Sequence, residues 1–429
     1  MVVARLKNEL FKKSEFKKHF LSAFWGTALG QLILVAASPI ISRIYSPEEF
    51  GMFSILFGYL TILSAVSTGR YELAIILPKS NKAAINIAML ALTVAGCVSA
   101  VVVAALFFIP ETFFVNNGIP HSSSLIYIAP VFIMSVALYQ SAYCYHIRTK
   151  LFTRNSQGKV INSTTTSLFS VGIGLVYPLG NVLLIGKSLG FFIASLYLIF
   201  SKEVKKVIRY IRLRYMIMMM KRYSDFPKYS VLGTGVDKLG AQLPILLINS
   251  LYTSEMAGYY AFALNVIYVP MSFISIAVSD VFRQKISEKV NNGLPIKEDY
   301  IKMINILALI SFLPLLLFGI ISPTFFKIIF GKEWETAGLL IRPVLPMLFF
   351  RFIYSPVSGL FIVLEKQKVY FYWQLSFVFL TYLVFIIGKA MFESIYYVLF
   401  GYTILYGIMA MINMYMGVKY SKKAHNNEK

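Results

Sequence analysis

Apolar runs of about twenty residues recur down this chain, and that is the length a helix needs to cross the hydrocarbon core of a bilayer. Twelve can be read: about 20–42, 50–69, 83–109, 123–145, 159–178, 180–200, 229–250, 258–280, 301–322, 336–364, 369–388 and 392–417. Inside a bilayer each segment must satisfy its own backbone polar groups, so runs of this length are helices. The expected fold class is all-α, a polytopic membrane protein with about 12 transmembrane helices. Only 14% of the residues are charged, against roughly 25% in a soluble domain. The fifth and sixth spans are the least distinct. The fifth is rich in Ser and Thr (Ser163 to Ser167), and Pro178-Leu179-Gly180 leaves almost no loop before the sixth.

The net charge of +22 in a soluble chain would suggest nucleic acid. Here its placement reports topology. Lys and Arg cluster in the amino-terminal tail, in the loops after spans 2, 4, 6, 8 and 10, and in the carboxyl tail; these hold 33 of the 41. The loop after span 4 is read with Arg148, Lys150, Arg154 and Lys159. The opposite loops hold only Arg43, Lys327, Lys332 and Lys389. The positive-inside rule then places both termini in the cytoplasm, residues 205–215 inside and residues 111–121 outside. The longest basic run, Lys202 to Lys228, lies between the two halves and reads as a linker and orientation signal resting on anionic headgroups, or more sharply as a docking face for a cytoplasmic partner. The expected domains are a bundle over 1–200, a basic cytoplasmic linker over 201–222, and a bundle over 223–429 ending in a short basic tail.

The halves share a motif. Gly26-Thr27 recurs as Gly233-Thr234, and Tyr45-Ser46-Pro47-Glu48-Glu49-Phe50-Gly51 recurs as Tyr252-Thr253-Ser254-Glu255-Met256-Ala257-Gly258, both at an offset of 207 residues. Each copy opens one half. Duplicated halves are the architecture of transporters, with the substrate site between the repeats.

Enzyme chemistry finds little support. Gly186-Lys187-Ser188 resembles the end of a phosphate-binding loop, but Asn181 stands where that motif requires Gly. His19, His121, His146 and His425 are scattered, and Cys97 and Cys144 sit singly in spans 3 and 4, so no metal or cofactor is expected. The carboxylate pairs Glu48/Glu49, Glu298/Asp299 and Glu333/Glu335 read as solvated loop ends.

Charges inside spans are costly and need a cavity or a partner. Lys238, beside Asp237, lies near the middle of span 7. Arg351 lies near the middle of span 10, which Pro343, Pro346 and Pro356 should kink or interrupt. Arg342 is nine residues from Arg351, half a turn out of phase on a straight helix, and with Lys187 it can snorkel to an interface. Arg70 and Glu72 form a buried pair or gate if span 2 continues to Leu77, and ordinary loop charges if it stops at Gly69.

The segments Pro39 to Gly51, Gly69-Arg70-Tyr71-Glu72-Leu73-Ala74-Ile75-Ile76-Leu77-Pro78, Tyr223-Ser224-Asp225-Phe226-Pro227-Lys228-Tyr229, Gly258-Tyr259-Tyr260, and Pro270 with Val281-Phe282 resemble polysaccharide repeat-unit (O-antigen or capsule) flippases. That family belongs to the multidrug/oligosaccharidyl-lipid/polysaccharide exporter superfamily, whose fold is MATE-like. The resemblance implies two pseudo-symmetric six-helix bundles around a central cavity. It implies alternating-access translocation of undecaprenyl-pyrophosphate-linked oligosaccharide across the bacterial inner membrane for surface polysaccharide biosynthesis, without enzymatic activity. Membrane lipids, a polymerase with its chain-length machinery, and a coupling H+ or Na+ are the implied partners; nucleic acid is not. An anionic, hydrated headgroup needs positive charge at membrane depth. The cationic candidates are Lys238 and Arg351, with Arg70, Arg43 and Arg342; Asp237 and Glu72 are candidates for coupling or gating. The alternative is a cation-coupled multidrug or small-molecule antiporter of the same superfamily, which requires a carboxylate at that depth.

Overall fold

The computed structural model of the chain describes residues 26–110, 112 and 123–426. Among them, eleven helices are long and apolar enough to cross a membrane. A twelfth is long enough but more polar. In chain order they are α1 (Gly26–Ile44), α2 (Pro47–Ser67), α3 (Asn81–Phe108), α4 (Ser123–Arg148), α5 (Phe152–Gly174), α6 (Gly180–Ile199), α7 (Val231–Leu251), α8 (Ser254–Asn291), α9 (Lys297–Phe330), α10 (Lys332–Val363, a broken run), α11 (Gln367–Met391) and α12 (Ile395–Asn426). The chain is a multi-pass membrane protein. Residues 113–121 of the expected external loop lie outside the described residues.

Two compact units divide the described chain. One holds the residues up to Tyr45 with Leu56–Gly235; the other holds Ser46–Ile55 and the residues from Val236 onward.

In the first unit, α5 corrects the sequence reading of span 5. It begins at Phe152 rather than at 159, and it ends at Gly174. Lys159, read as a loop residue, therefore lies within a helix. The cause is where its polar groups go. Asn162, Ser163, Thr165, Thr166, Ser167 and Ser170 are all buried against protein. Helices in a bilayer associate through small residues that let backbones approach. Gly186 and Gly190 of α6 supply that surface, since a Cβ at Gly186 would come within 2.6 Å of Ser170 Oγ and one at Gly190 within 2.8 Å of the Asn162 carbonyl. The glycine that imitates a phosphate loop is thus half of a Gly-x-x-x-Gly packing face.

The expected linker over 201–222 is folded. Two short helices, Lys202–Ile208 and Leu213–Arg222, bury Val204, Val207, Met216 and Met219 in one cluster with Ala84, Ile87 and Ala91 of α3. Asn86 of α3 ties them down, donating to the Tyr210 carbonyl and accepting from the Arg212 N–H at 2.8 Å.

The second unit holds the start of α2 and most of α7, then α8 to α12. Its core gathers Phe282, Tyr300, Leu307, Phe352 and Val357. Both copies of the repeated motif open a helix in the same way. Ser46 Oγ accepts from the Glu49 N–H at the head of α2 (3.3 Å), and Thr253 Oγ1 accepts from the Met256 N–H at the head of α8 (3.1 Å). Such N-caps satisfy donors a helix start cannot pair internally. Gly51 and Gly258 follow one turn later and lie in direct contact. A Cβ on Gly51 would stand 3.1 Å from the Gly258 nitrogen, and one on Gly258 2.8 Å from the Gly51 nitrogen.

Prolines interrupt α10 as the sequence predicts. Its pieces are the 3-10 turn Lys332–Trp334, the helix Glu335–Leu340, the 3-10 turn Arg342–Val344, and the helices Leu345–Val357 and Leu360–Val363.

Candidate functional site

A cavity of about 300 Å³ lies within the second unit, lined from α7, α8, α10, α11 and α12. Helical spacing explains its walls, because residues three, four and seven apart share a face. On α10 these are Met347, Arg351, Tyr354 and Ser358; on α11 they are Tyr370, Trp373, Gln374 and Phe377. Tyr402 and Tyr406 come from α12, Tyr260 and Tyr268 from α8, and Asp237 and Lys238 from α7.

Lys238 and Arg351 thus share one cavity. Among the described residues neither has a carboxylate within ion-pair distance. Asp237 does not pair with its neighbour Lys238; it accepts from Gln374 Nε2 at 2.9 Å. Successive helix residues diverge by about 100°, which separates the two side chains. The Arg351 guanidinium lies 4.4 Å from the centroid of the Tyr268 ring. A cation over an aromatic face is attracted by the ring quadrupole yet keeps its N–H donors for a ligand. Tyr406 and Tyr354 bring their hydroxyls to 3.4 Å of each other. Trp373 stacks on Phe377 with an interplanar angle of 7°, and its Nε1–H donates to the Met409 carbonyl at 2.9 Å, which fixes the indole. The walls therefore combine two cations outside any ion pair, one carboxylate, hydroxyls and aromatic side chains.

Arg70 and Glu72 meet in the first unit. α2 ends at Ser67, and Gly69 and Arg70 then adopt positive φ (58° and 59°), which turns the chain into the short helix Tyr71–Ala74. The helix thus stops before Gly69, but the charges are not ordinary loop charges. The Arg70 guanidinium is 2.9 Å from Glu72, whose side chain is 2% exposed, and Thr68 Oγ1 donates to the same carboxylate. Both line a second cavity, of about 200 Å³, with Tyr139, Gln140 and Tyr143 of α4 and Lys159 of α5.

Arg43 and Arg342 do not join the lining of either cavity. Arg43 is exposed near the end of α1. Arg342 has a structural partner. Pro323 in α9 has no N–H, which frees the carbonyl four residues earlier, that of Gly319. Arg342 Nε donates to that carbonyl at 3.0 Å, and another guanidinium nitrogen donates to Ile320 at 3.1 Å. Lys187 lies 5.9 Å from the Phe57 ring and 6.0 Å from the Phe191 ring.

Sequence reasoning missed Lys159 and the tyrosines. Lys159 was hidden by the misplaced start of α5. Tyr402/Tyr406 and Tyr260/Tyr268 stand four and eight residues apart, a one-face spacing that was legible but is shared by lipid-facing aromatics.

The fold and the polar, cation-lined interior define a class: a multi-pass membrane protein with the architecture of MATE-type exporters. An inward-facing MATE family transporter of the MOP superfamily matches with a TM-score of 0.69 at 14% identity, over 92% of this chain and 96% of that one. The lipid II flippase MurJ in an inward closed conformation matches with a TM-score of 0.69 at 15% identity, over 95% and 90%. A MOP superfamily transporter from Pyrococcus furiosus matches at 0.60 with 14% identity, over 95% and 96%. Sequence narrows the class. Residues 9–338 match the polysaccharide biosynthesis protein family, and the chain belongs to it. The teichuronic acid biosynthesis protein TuaB of Bacillus subtilis (strain 168) is 24% identical over 46% of this chain and 40% of its own length. The amylovoran biosynthesis protein AmsL of Erwinia amylovora is 23% identical over 34% and 38%. The matched segments thus span under two thirds of these relatives.

Proposed function

We propose that this protein is a flippase for lipid-linked oligosaccharide, carrying undecaprenyl-pyrophosphate-linked repeat units from the cytoplasmic to the outer leaflet of a bacterial inner membrane by alternating access. Lys238 and Arg351 carry the reading: two cations at mid-span in one cavity, neither of them ion-paired with its one carboxylate, Asp237. A charge at membrane depth without a partner is costly, and a bound anion would supply the countercharge. A pyrophosphate supplies it. The Arg351 fork suits two phosphate oxygens, and the Lys238 ammonium acts as a point charge. The Tyr354 hydroxyl accepts from Tyr406 and keeps its own proton to donate beside them.

Membership of the polysaccharide biosynthesis protein family supports the cargo class, as do the names of the relatives, which are biosynthesis proteins for teichuronic acid and amylovoran. The likeness to the lipid II flippase MurJ supports the fold's fitness for the task. The basic loops support cytoplasmic termini. In this reading the protein performs no covalent chemistry, and export is coupled to H+ or Na+ and handed to a polymerase with its chain-length machinery. The cation antiporter is the weaker reading, because the cavity's carboxylate, Asp237, is held by Gln374 and is outnumbered by cations.

Deletion of the gene tests the proposal. Lipid-linked repeat units should accumulate on the cytoplasmic side, and surface polymer should disappear. Unchanged surface glycan in a strain with no second flippase would refute it.

A further inference from the structure

We propose that the cavity of the first unit is a separate subsite for an acidic pyranose, a uronate-type sugar of the transported oligosaccharide. This deepens the flippase reading and rests on it.

Four observations carry the inference. Tyr139 and Tyr143 of α4 are stacked at 6.0 Å with an interplanar angle of 30°, and both line the cavity. Flat aromatic faces are the usual platforms for the apolar faces of sugar rings. Gln140 lies between them in sequence and lines the same space, and its amide oxygen is buried without a hydrogen-bond partner, an acceptor awaiting a hydroxyl. Lys159 supplies the charge. Its ammonium donates to Thr27 Oγ1 at 2.8 Å and lies 5.4 Å from the Tyr143 ring, and among the described residues it forms no ion pair. An ammonium has three donors, so one bond to Thr27 leaves others for a carboxylate. Arg70 by contrast is already matched by Glu72. Lys159 is therefore the one lining cation outside an ion pair, which fits a ligand with a single negative charge. Its volume of about 200 Å³ is close to the room one monosaccharide residue occupies.

The test is ligand-observed saturation-transfer NMR on the purified full-length protein in detergent, with free glucuronate as probe and glucose and inorganic phosphate as comparators. Glucuronate should give transfer that Lys159→Gln and, independently, Tyr143→Leu abolish, while the Lys238→Ala/Arg351→Ala double variant keeps it. Glucose should give less, and phosphate should displace glucuronate poorly. Monodispersity of each variant on size exclusion shows that a lost signal is not lost fold. Three results overturn the subsite: no transfer from glucuronate, transfer that survives both Lys159→Gln and Tyr143→Leu, or full displacement by phosphate. The two readings fail separately. Absent glucuronate binding with normal dependence of surface polymer on the gene removes the subsite alone, whereas binding with surface polymer unaffected by deletion removes the transport reading alone.

Discussion

Gly51 and Gly258 occupy the same position in the two copies of the repeated motif, and they touch each other. Neither carries a side chain where the heads of α2 and α8 meet, and a Cβ on either glycine would stand 3.1 Å or 2.8 Å from the other's backbone nitrogen. The repeat thus marks a self-complementary helix crossing, which explains why both copies keep glycine at their ends.

A methyl group at this crossing should be costly. In Gly258→Ala the new Cβ would overlap the Pro47 carbonyl and lie 2.8 Å from the Gly51 nitrogen. Overpacking of this kind costs about 1–3 kcal/mol. Gly233→Ala is the control, because a Cβ there meets nothing within 4 Å, and alanine in a helix is favoured over glycine by roughly 0.5–1 kcal/mol. Thermal unfolding of the purified protein should fall for the first variant and hold or rise for the second. Equal melting temperatures would contradict the crossing.

Lys238→Ala and Arg351→Ala should each lower surface polymer in a complemented deletion strain by about tenfold or more, taking a charge-assisted hydrogen bond at roughly 1.5–3 kcal/mol. Lys238→Arg and Arg351→Lys should keep part of the activity, since either cation attracts a phosphate. Membrane abundance should not change. Full activity in both alanine variants would remove the cationic site.

Arg342 should behave as a patch for a proline. Arg342→Ala leaves the Gly319 carbonyl only the longer bond from Ser322 Oγ at 3.3 Å, at a cost of about 1 kcal/mol or less at this exposed position. Pro323→Ala restores an N–H four residues on, so adding Arg342→Ala to it should cost less. A double-mutant cycle of thermal stability should show positive coupling between the two. Strict additivity would mean that the guanidinium only snorkels.

In the first unit, Glu72→Ala should cost more than Glu72→Gln. Both lose the ion pair with Arg70, but the amide can still accept from Thr68. A buried group left without partners costs about 1–3 kcal/mol. Arg70→Ala should cost as much as Glu72→Ala, because it strands a carboxylate that is 2% exposed. Denaturation midpoints of the purified variants give the order, and identical values would mean that the pair does not hold the turn after α2.

The spans were legible because hydrocarbon imposes one length and one composition on a crossing helix, and the proline-broken α10 followed from Pro343 and Pro356. The Lys238–Arg351 pairing was legible in part: mid-span charges announced a cavity, but which neighbours lined it depended on packing of five helices. α5 was the least distinct span, and its start was misplaced, because hydropathy measures solubility in lipid while its Ser and Thr side chains face protein. The partner of Arg342 was not legible for a related reason. It is a backbone carbonyl freed by a proline nineteen residues away in another helix, and no local pattern records that.

The buried polar face of α5 also bears on how the protein is made. A segment with Asn162, Thr165, Thr166 and Ser170 on the face that meets its neighbours has little affinity for hydrocarbon alone. Its partner α6 follows after a loop of five residues and carries the glycines that cover that face. The two helices should therefore insert as a unit: in a membrane-insertion assay α5 alone should insert poorly, and α5 followed by α6 well.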